Sequence, residues 1–268
     1  MSKSQGVYNI SNEEYHTGEG ISRSGIMEFK ITPFHYWNAY LNPERPEKKP
    51  PTPAMVFGTI LHNYILEPGT FDDRYIVAEK VDKRTKFGIS YHQTLHEEKG
   101  IREIIAKDIF LEIKKIAEAL WKNELAKALI TGAQFEQSFY WTDPDSGILC
   151  KARPDIWHSN MICDLKSTDS ASPRDFQNAL YKYGFHIQAA MINQAIKHVY
   201  KKDIREFIYI TVEKDFPYAH ALYKLDEIAL EHGIADYKNK LLQLRDCMET
   251  NTWPSYPTQI ITLPAYAY

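Results

Sequence analysis

The stretch Gly147–Lys166, GILCKARPDIWHSNMICDLK, decides the fold, because it predicts two short β-strands joined by a tight turn. Residues 149–157 and 161–166 are rich in the apolar and β-branched side chains that favour strands. Ser159-Asn160 lies between the two runs and suits a two-residue loop. The stretch therefore predicts a β-hairpin.

Counting outward from a two-residue loop sets the register of this hairpin. It predicts four opposed pairs: His158 with Met161, Trp157 with Ile162, Ile156 with Cys163, and Asp155 with Asp164. Opposed residues point to the same face, with their Cβ atoms roughly 4.5–5.5 Å apart. Lys166 follows Asp164 by two positions and shares that face, because side chains alternate along a strand.

Two carboxylates opposed in an apolar hairpin repel each other unless a positive charge lies between them. A divalent cation that prefers oxygen ligands would meet this need, and Lys166 would add a second positive charge. The alternative is an exposed hairpin whose charged side chains are simply solvated. Asp-Leu-Lys alone is a common tripeptide, whereas Pro-Asp followed across a strand turn by Asp-x-Lys is uncommon and favours a metal site.

This pattern resembles that of the PD-(D/E)xK nucleases, and the wider chain resembles the RecE-type exonucleases, relatives of lambda exonuclease and of the RecB nuclease domain. The resemblance covers most of the chain and is carried by segments in a fixed order: SRSGIMEF, FGTILHNYILEP, DKRTKFG, FEQSFYWTDPDSGILCKARPDIW, DLKSTDSASPRDF, YGFHIQAA and WPSYP. The implied fold is α/β, with a restriction-endonuclease-like core in which helices flank a mixed central sheet.

The resemblance also implies roles for individual residues. Asp155 and Asp164 would bind Mg²⁺, for which Mn²⁺ would substitute, together with His62 and the backbone carbonyl of Leu165. Further catalytic residues would be Lys166, Glu136 and Gln188. On sequence alone His62 could equally be a hydrogen-bonded core residue and Glu136 an edge carboxylate. Related nucleases often carry a tyrosine four residues after the glutamine, where this chain has Ile192.

Contacts to DNA are a further implication of the resemblance. Phosphate contacts position a duplex without reading its sequence. The expected DNA-binding residues are Arg23, Arg84, Thr85, Lys86, Tyr181 and Tyr183. The implied activity is 5′-to-3′ digestion of double-stranded DNA ends that leaves 3′ single-stranded tails for recombination. A homo-oligomeric ring, trimeric or tetrameric, and a single-strand annealing protein are the implied partners.

Composition limits the class of protein. The 268 residues are 44% hydrophobic and 25% charged, with a net charge of −3, so any DNA-binding surface must be local. The longest apolar runs fall short of a membrane span, and the N-terminus lacks the apolar core of a secretory signal. Cys150, Cys163 and Cys247 are too few for a four-cysteine iron–sulfur cluster and suit a reducing cytoplasm.

The chain is expected to form one nuclease domain over residues 1–268. Residues 1–130 should be mainly helical, residues 131–225 should supply the catalytic sheet and helices, and residues 226–268 a closing helix and tail. Residues 100–130 are expected to form one or two amphipathic helices, and residues 135–141 a strand that extends the hairpin to a three-stranded meander. Residues 43–53 are expected to be an exposed connection.

Two other functions remain open at this point. A structure-specific or sequence-specific endonuclease could use the same metal core and would cut closed circular DNA. A catalytically inactive DNA-binding or annealing accessory protein would bind DNA without turnover, although the complete set of Asp155, Asp164 and Lys166 argues against it.

Overall fold

A computed structural model of the chain describes residues 4–46 and 50–264. The strands in this part of the chain are β1 (Gly6–Tyr8), β2 (Tyr75–Ala78), β3 (Glu103–Ala106), β4 (Gln134–Phe135), β5 (Ser138–Thr142), β6 (Leu149–Ala152), β7 (Ile156–Trp157), β8 (Ile162–Thr168), β9 (Phe207–Glu213) and β10 (His220–Lys224). The α-helices are α1 (Asn12–Thr17), α2 (Arg23–Ile31), α3 (Pro33–Tyr36), α4 (Pro53–Leu66), α5 (Phe71–Arg74), α6 (Lys86–Glu98), α7 (Lys107–Trp121), α8 (Glu124–Ile130), α9 (Pro173–Lys182), α10 (Phe185–Tyr200) and α11 (Glu227–Thr250).

A five-stranded sheet with the order β10-β9-β8-β7-β4 forms the centre of the fold. Strands β8 and β9 run parallel, whereas the other neighbours in this sheet run antiparallel. Two smaller sheets accompany it, one of β1, β5 and β6 and one of β2 and β3. The predicted α/β architecture, with a mixed sheet and flanking helices, is confirmed.

Hydrophobic clusters cover both faces of the central sheet, as the alternation along β8 shows. Ile162 joins a cluster that includes residues of α2, α10 and α11. Cys163 and Leu165 join the other cluster, which is built with α4, α7 and α8. Because side chains alternate along a strand, Asp164 and Lys166 share the face that α10 covers. A strand buried on both faces thus carries two charged side chains on one of them.

The predicted hairpin register is confirmed. Ile156 pairs with Cys163 and Trp157 with Ile162 in an antiparallel ladder. The backbone N–H of His158 donates to the carbonyl of Met161 at 2.8 Å and closes the two-residue loop. The hairpin is short because the strand expected over residues 149–157 is broken between β6 and β7. Pro154 lies in the break and cannot donate a ladder hydrogen bond.

The predicted three-stranded meander is confirmed in its antiparallel pairing, but a bend divides it between two sheets. Residues 134–135 pair with β7 in the central sheet, whereas residues 138–142 pair with β6 in a different sheet. The chain changes sheets at Glu136, whose φ of 50° places it in the left-handed region. This conformation costs a non-glycine residue about 1–2 kcal/mol, and such strain is concentrated at functional sites.

The helix expected over residues 100–130 begins later than predicted. Ile104 and Ile105 lie in β3, which pairs in parallel with β2. A short run of isoleucine fits a strand as well as a helix, and the distant partner β2 decides between them. Helices α7 and α8 follow as two separate segments, with Asn123 capping the second.

The other helices largely follow their local signals. Ser172 caps α9 and precedes Pro173 at the first helical position, and Asp226 caps α11. The predicted exposed connection is exposed at residues 43–46 and 50–53, whereas residues 47–49 lie outside the described part. Among the described residues, no helix has the length and apolar character needed to span a membrane.

Helices α10 and α11 cross in close contact at Gly233. A Cβ atom added there would lie 2.4 Å from the backbone oxygen of His186, which cannot move without displacing α10. Gly233→Ala is therefore expected to lower the free energy of unfolding by about 1–3 kcal/mol, the usual cost of overpacking. Denaturant or thermal melting checks this. Gly69→Ala is the control, because no atom lies within 4 Å of its added Cβ, and an equal loss in both variants would contradict the prediction.

Candidate active site

A cleft of about 730 Å³ opens beside the hairpin, at the edge of β8 that the short β7 leaves uncovered. Residues of α1, α2 and α4 form its walls together with the segment that precedes α1 and the connection between β6 and β7. Five of the predicted catalytic and metal-binding residues line it: His62, Glu136, Asp155, Lys166 and Gln188.

His62, Glu136 and Asp155 converge at this cleft from three separate elements. One potential ligand atom from each lies within 4.8 Å of those of the other two, and Nδ1 of His62 is 3.5 Å from Oδ2 of Asp155. His62 is carried by α4, Glu136 by the left-handed bend between β4 and β5, and Asp155 by the break before β7. One imidazole nitrogen with two carboxylates is a ligand set suited to a divalent cation such as Mn²⁺ or Mg²⁺.

The backbone of β8 orients Asp155. Its Oδ2 accepts a hydrogen bond from the N–H of Leu165 at 2.9 Å. This N–H therefore points away from the β8–β9 ladder, and the carbonyl of a strand residue points to the same side as its N–H. The structure thus places the Leu165 carbonyl on the edge that faces Asp155, as its predicted role as a ligand requires.

Asp164 lies beneath the cleft and does not line it. Its side chain has 0% exposure to solvent. Oδ1 accepts a hydrogen bond from Nε2 of Gln188 at 2.7 Å, and Oδ2 is 2.5 Å from Nζ of Lys166. Lys166 is partly exposed to the cleft, and its ammonium lies 4.8 Å from the ring centroid of Phe185. Both oxygens of the buried carboxylate therefore have partners.

Residues 22–262 match the family described as a PDDEXK-like domain of unknown function, DUF3799. The chain belongs to this family. The predicted PD-(D/E)xK superfamily is thereby confirmed, whereas the narrower likeness to RecE-type enzymes stays a prediction. No protein among the curated sequences matches the chain.

One solved structure shares the fold of this PDDEXK-like chain over almost its whole length. It is described as a "Putative exonuclease" from Eubacterium rectale, with a TM-score of 0.62 and 16% identity over 94% of this chain and 97% of the other. A second crystal structure, of a protein named SSO0001, overlaps with a TM-score of 0.29 and 12% identity over 69% of this chain and 85% of the other. At this identity the first similarity shows a shared fold. The second TM-score is too low to indicate one.

The acidic groups of the PDDEXK-like site shift one another's titration. Burial and the negative charge of Asp155 raise the pKa of Glu136 to about 8. The same two causes raise the pKa of Asp164 to about 6, although Lys166 acts in the opposite direction. Without a cation, part of the cluster therefore holds protons at neutral pH. A bound divalent cation would displace them, since metal binding requires deprotonated ligands.

The predicted DNA contacts divide into two groups. Arg23 lines the cleft, and its guanidinium donates to the backbone carbonyl of Tyr183 at 3.1 Å. The other five residues do not line the cleft. Arg84 has a side chain that is 89% exposed and pairs with Asp82 at 3.0 Å, Thr85 caps α6, and Lys86 begins that helix. The exposed Tyr181 and Tyr183 lie at the end of α9.

Other charged residues line the cleft that no local sequence pattern predicted as site residues. Glu67 pairs with Arg74 at 2.9 Å, and both line the cleft. Arg153 donates to the hydroxyl of Ser138 at 2.6 Å and lies over the ring of Tyr15, with its guanidinium carbon 4.4 Å from the ring centroid. Arg153 lies in the KARPD sequence of the hairpin. Its guanidinium contacts the segment before α1, which is about 140 positions away in the chain.

The raised pKa of Glu136 predicts an unusual pH dependence of stability in EDTA. Glu136 has an ordinary pKa of 4.5 when unfolded and about 8 when folded. Between these values the folded protein holds more protons than the unfolded chain, so stability falls as pH rises. We expect the melting temperature to fall from about pH 5 to about pH 8 and Mg²⁺ to reverse the loss at the upper end.

Glu136→Gln should flatten this profile, because the substituted amide does not titrate. Glu118→Gln, at an exposed position of α7, is the matched control and should keep the wild-type profile. Thermal melting of the three proteins over this range, with and without Mg²⁺, measures the effect. Identical profiles for Glu136→Gln and the wild-type protein would contradict the assignment.

Proposed function

We propose that this protein is a metal-dependent deoxyribonuclease, and specifically a double-strand DNA exonuclease that degrades 5′-to-3′ and leaves 3′ single-stranded tails. The observation that carries the proposal is the convergence of His62, Glu136 and Asp155 in one cleft, backed by the buried Asp164 and Lys166. Membership of a PDDEXK-like family supports the nuclease class. The hypothesis of an exonuclease is further supported by the structure that shares the fold, because that protein is described as an exonuclease.

The residues of the cleft fit a divalent cation. His62, Glu136, Asp155 and the Leu165 carbonyl would hold Mg²⁺, or Mn²⁺ in its place. The predicted ligand Asp164 is left out of this set, because Gln188 and Lys166 contact its two oxygens beneath the cleft. When bound, such an ion lowers the pKa of a water molecule and stabilises negative charge on a phosphate oxygen. Asp164 would add to the negative charge that attracts the ion. Burial and the charge of Asp155 raise its pKa, and its own charge makes a small contribution to the raised pKa of Glu136.

Residues of the chain would position the attacking water and supply positive charge beside the reacting phosphate. Nζ of Lys166 lies beside Asp164 at the cleft, where its ammonium would align the attacking water or stabilise the phosphorane. Gln188 holds the other oxygen of Asp164 and so keeps the carboxylate oriented towards Lys166. Catalysis by this arrangement depends on electrostatics and geometry more than on covalent chemistry.

DNA would be held by charges at and around the cleft. Arg23 lines the cleft and would contact a phosphate next to the scissile bond. Arg84, Thr85 and Lys86 form an exposed turn and helix start that would contact the flanking duplex, and Tyr181 and Tyr183 offer exposed rings. The segment before α1 lines one side of the cleft.

Asp164→Asn tests the catalytic role of the buried carboxylate. The variant should fold, because Gln188 can rotate its amide to accept from the new Asn: its Oε1 has no hydrogen-bond partner among the described residues. Activity should fall by roughly 100-fold or more, as expected when a charged group of the reacting site is lost. Asp169→Asn, an exposed aspartate that pairs with Lys214, is the control. Near wild-type, Mg²⁺-dependent cleavage by a folded Asp164→Asn protein would contradict the assignment.

The reaction type is tested with linear duplexes labelled at the 5′ or the 3′ end and with a covalently closed circle. The proposal expects release of the 5′ label from the linear duplex, an intact circle, and no release of label in EDTA. Cutting of the circle would instead assign an endonuclease. DNA retention without any cleavage would assign a binding protein.

We also propose that the protein acts as a homo-oligomeric ring of three or four subunits and passes its product to a single-strand annealing protein. A ring would reconcile the net charge of −3 with processive DNA binding, because the basic side chains could face a shared channel. Mass measurement in solution is expected to give a trimer or a tetramer. A monomer at all protein concentrations would overturn the ring.

A further inference from the structure

A second group of metal-ligating side chains lies outside the cleft, where α10 crosses α11. His186 on α10 and His232 and Asp236 on α11 each offer one ligand atom within 4.8 Å of the other two. We propose that these three residues form a binding site for a transition-metal ion of the Zn²⁺ class. The site is separate from the proposed nuclease centre and does not depend on its activity.

His186 supplies the strongest argument. Its side chain is only 5% exposed, and Nδ1 lies 3.1 Å from the carbonyl of Leu180, which can only accept a hydrogen bond. Nδ1 therefore carries the ring proton, and the lone pair of the neutral ring is on Nε2. Nε2 has no hydrogen-bond partner among the described residues and lies 4.0 Å from Oδ2 of Asp236. A histidine with one nitrogen on a carbonyl and the other free is the usual arrangement of a metal ligand.

The two other ligands are positioned by helix geometry. His232 and Asp236 are four residues apart on α11 and so lie on the same face of the helix. Gly233 follows His232 and allows the backbone of α11 to approach that of His186 directly. The rings of His186 and His232 are 5.7 Å apart between centroids. The crossing of the two helices therefore preorganises the site.

The charges around the site are compatible with a bound cation. Lys30 lies 2.6 Å from Oδ2 of Asp236. This ammonium donates to the carboxylate that would ligate the ion, and it would repel a cation that is held by charge alone. Burial lowers the pKa of His186, which leaves the ring neutral and able to coordinate. Two imidazoles and one carboxylate favour Zn²⁺, Co²⁺ or Ni²⁺ over Mg²⁺, which prefers oxygen ligands.

Such an ion would link α10 to α11 at His186. This residue lies two positions before Gln188, which donates a hydrogen bond to Asp164. The expected effect of the ion is on the position and stability of α10, since neither histidine lines the cleft. The site would therefore act as a structural clamp behind the nuclease centre.

Titration with Co²⁺, in Mg²⁺-containing buffer after removal of bound metals, tests the proposal on the intact protein. The wild-type protein should bind Co²⁺ with a visible absorption band that Zn²⁺ abolishes. His232→Ala should weaken this binding by about tenfold or more and should fold normally, because His232 is exposed. His96→Ala, at an exposed position of α6, should bind Co²⁺ as the wild-type protein does.

Asp155→Asn distinguishes Co²⁺ binding at this site from Co²⁺ binding in the cleft, because Asp155 belongs to the cleft group. The visible band and its Co²⁺ affinity should be unchanged in Asp155→Asn, whereas His232→Ala should show the weakened binding. The reverse pattern, or equal Co²⁺ affinity in His232→Ala and the wild-type protein, would overturn the proposal. Loss of nuclease activity is not a readout here, so failure of the proposed nuclease function would leave this result unaffected.

Discussion

The burial of one carboxylate is the constraint on which the rest of the site depends. Asp164 sits in the middle of β8 with no exposure to solvent, and an uncompensated charge in such a position would cost several kcal/mol. Lys166 and Gln188 compensate it from two directions, one on the same strand and one on α10. The central strand, the helix that covers it and the mouth of the cleft are therefore linked through one side chain.

The crowding of negative charge above Asp164 explains why the site suits a cation. Burial and the negative charge of Asp155 together raise the pKa of Glu136. Glu136 also adopts a left-handed backbone conformation that a glutamate rarely occupies. Electrostatic repulsion and backbone strain are tolerated together at one residue, which is the usual sign that function and not stability has selected the arrangement.

Helix α10 serves both groups of polar residues. Gln188 faces Asp164 and the cleft, whereas His186, two residues earlier, faces α11. Residues two apart on a helix point in different directions, so one turn can contribute side chains to two sites. The close approach at Gly233 holds this turn in place, and the precision of one site therefore depends on the packing at the other.

Local periodicity was enough to predict the hairpin and to place Asp155, Asp164 and Lys166 together, because a two-residue loop and the alternation of a strand act over a few residues. His62 and Gln188 came from the family resemblance, not from spacing. The strand of residues 103–106, the burial of Asp164 beneath the cleft and the charged wall of the cleft were decided by tertiary structure. Each depends on partners far away in the chain, and a sequence pattern does not specify which distant segments pack against each other.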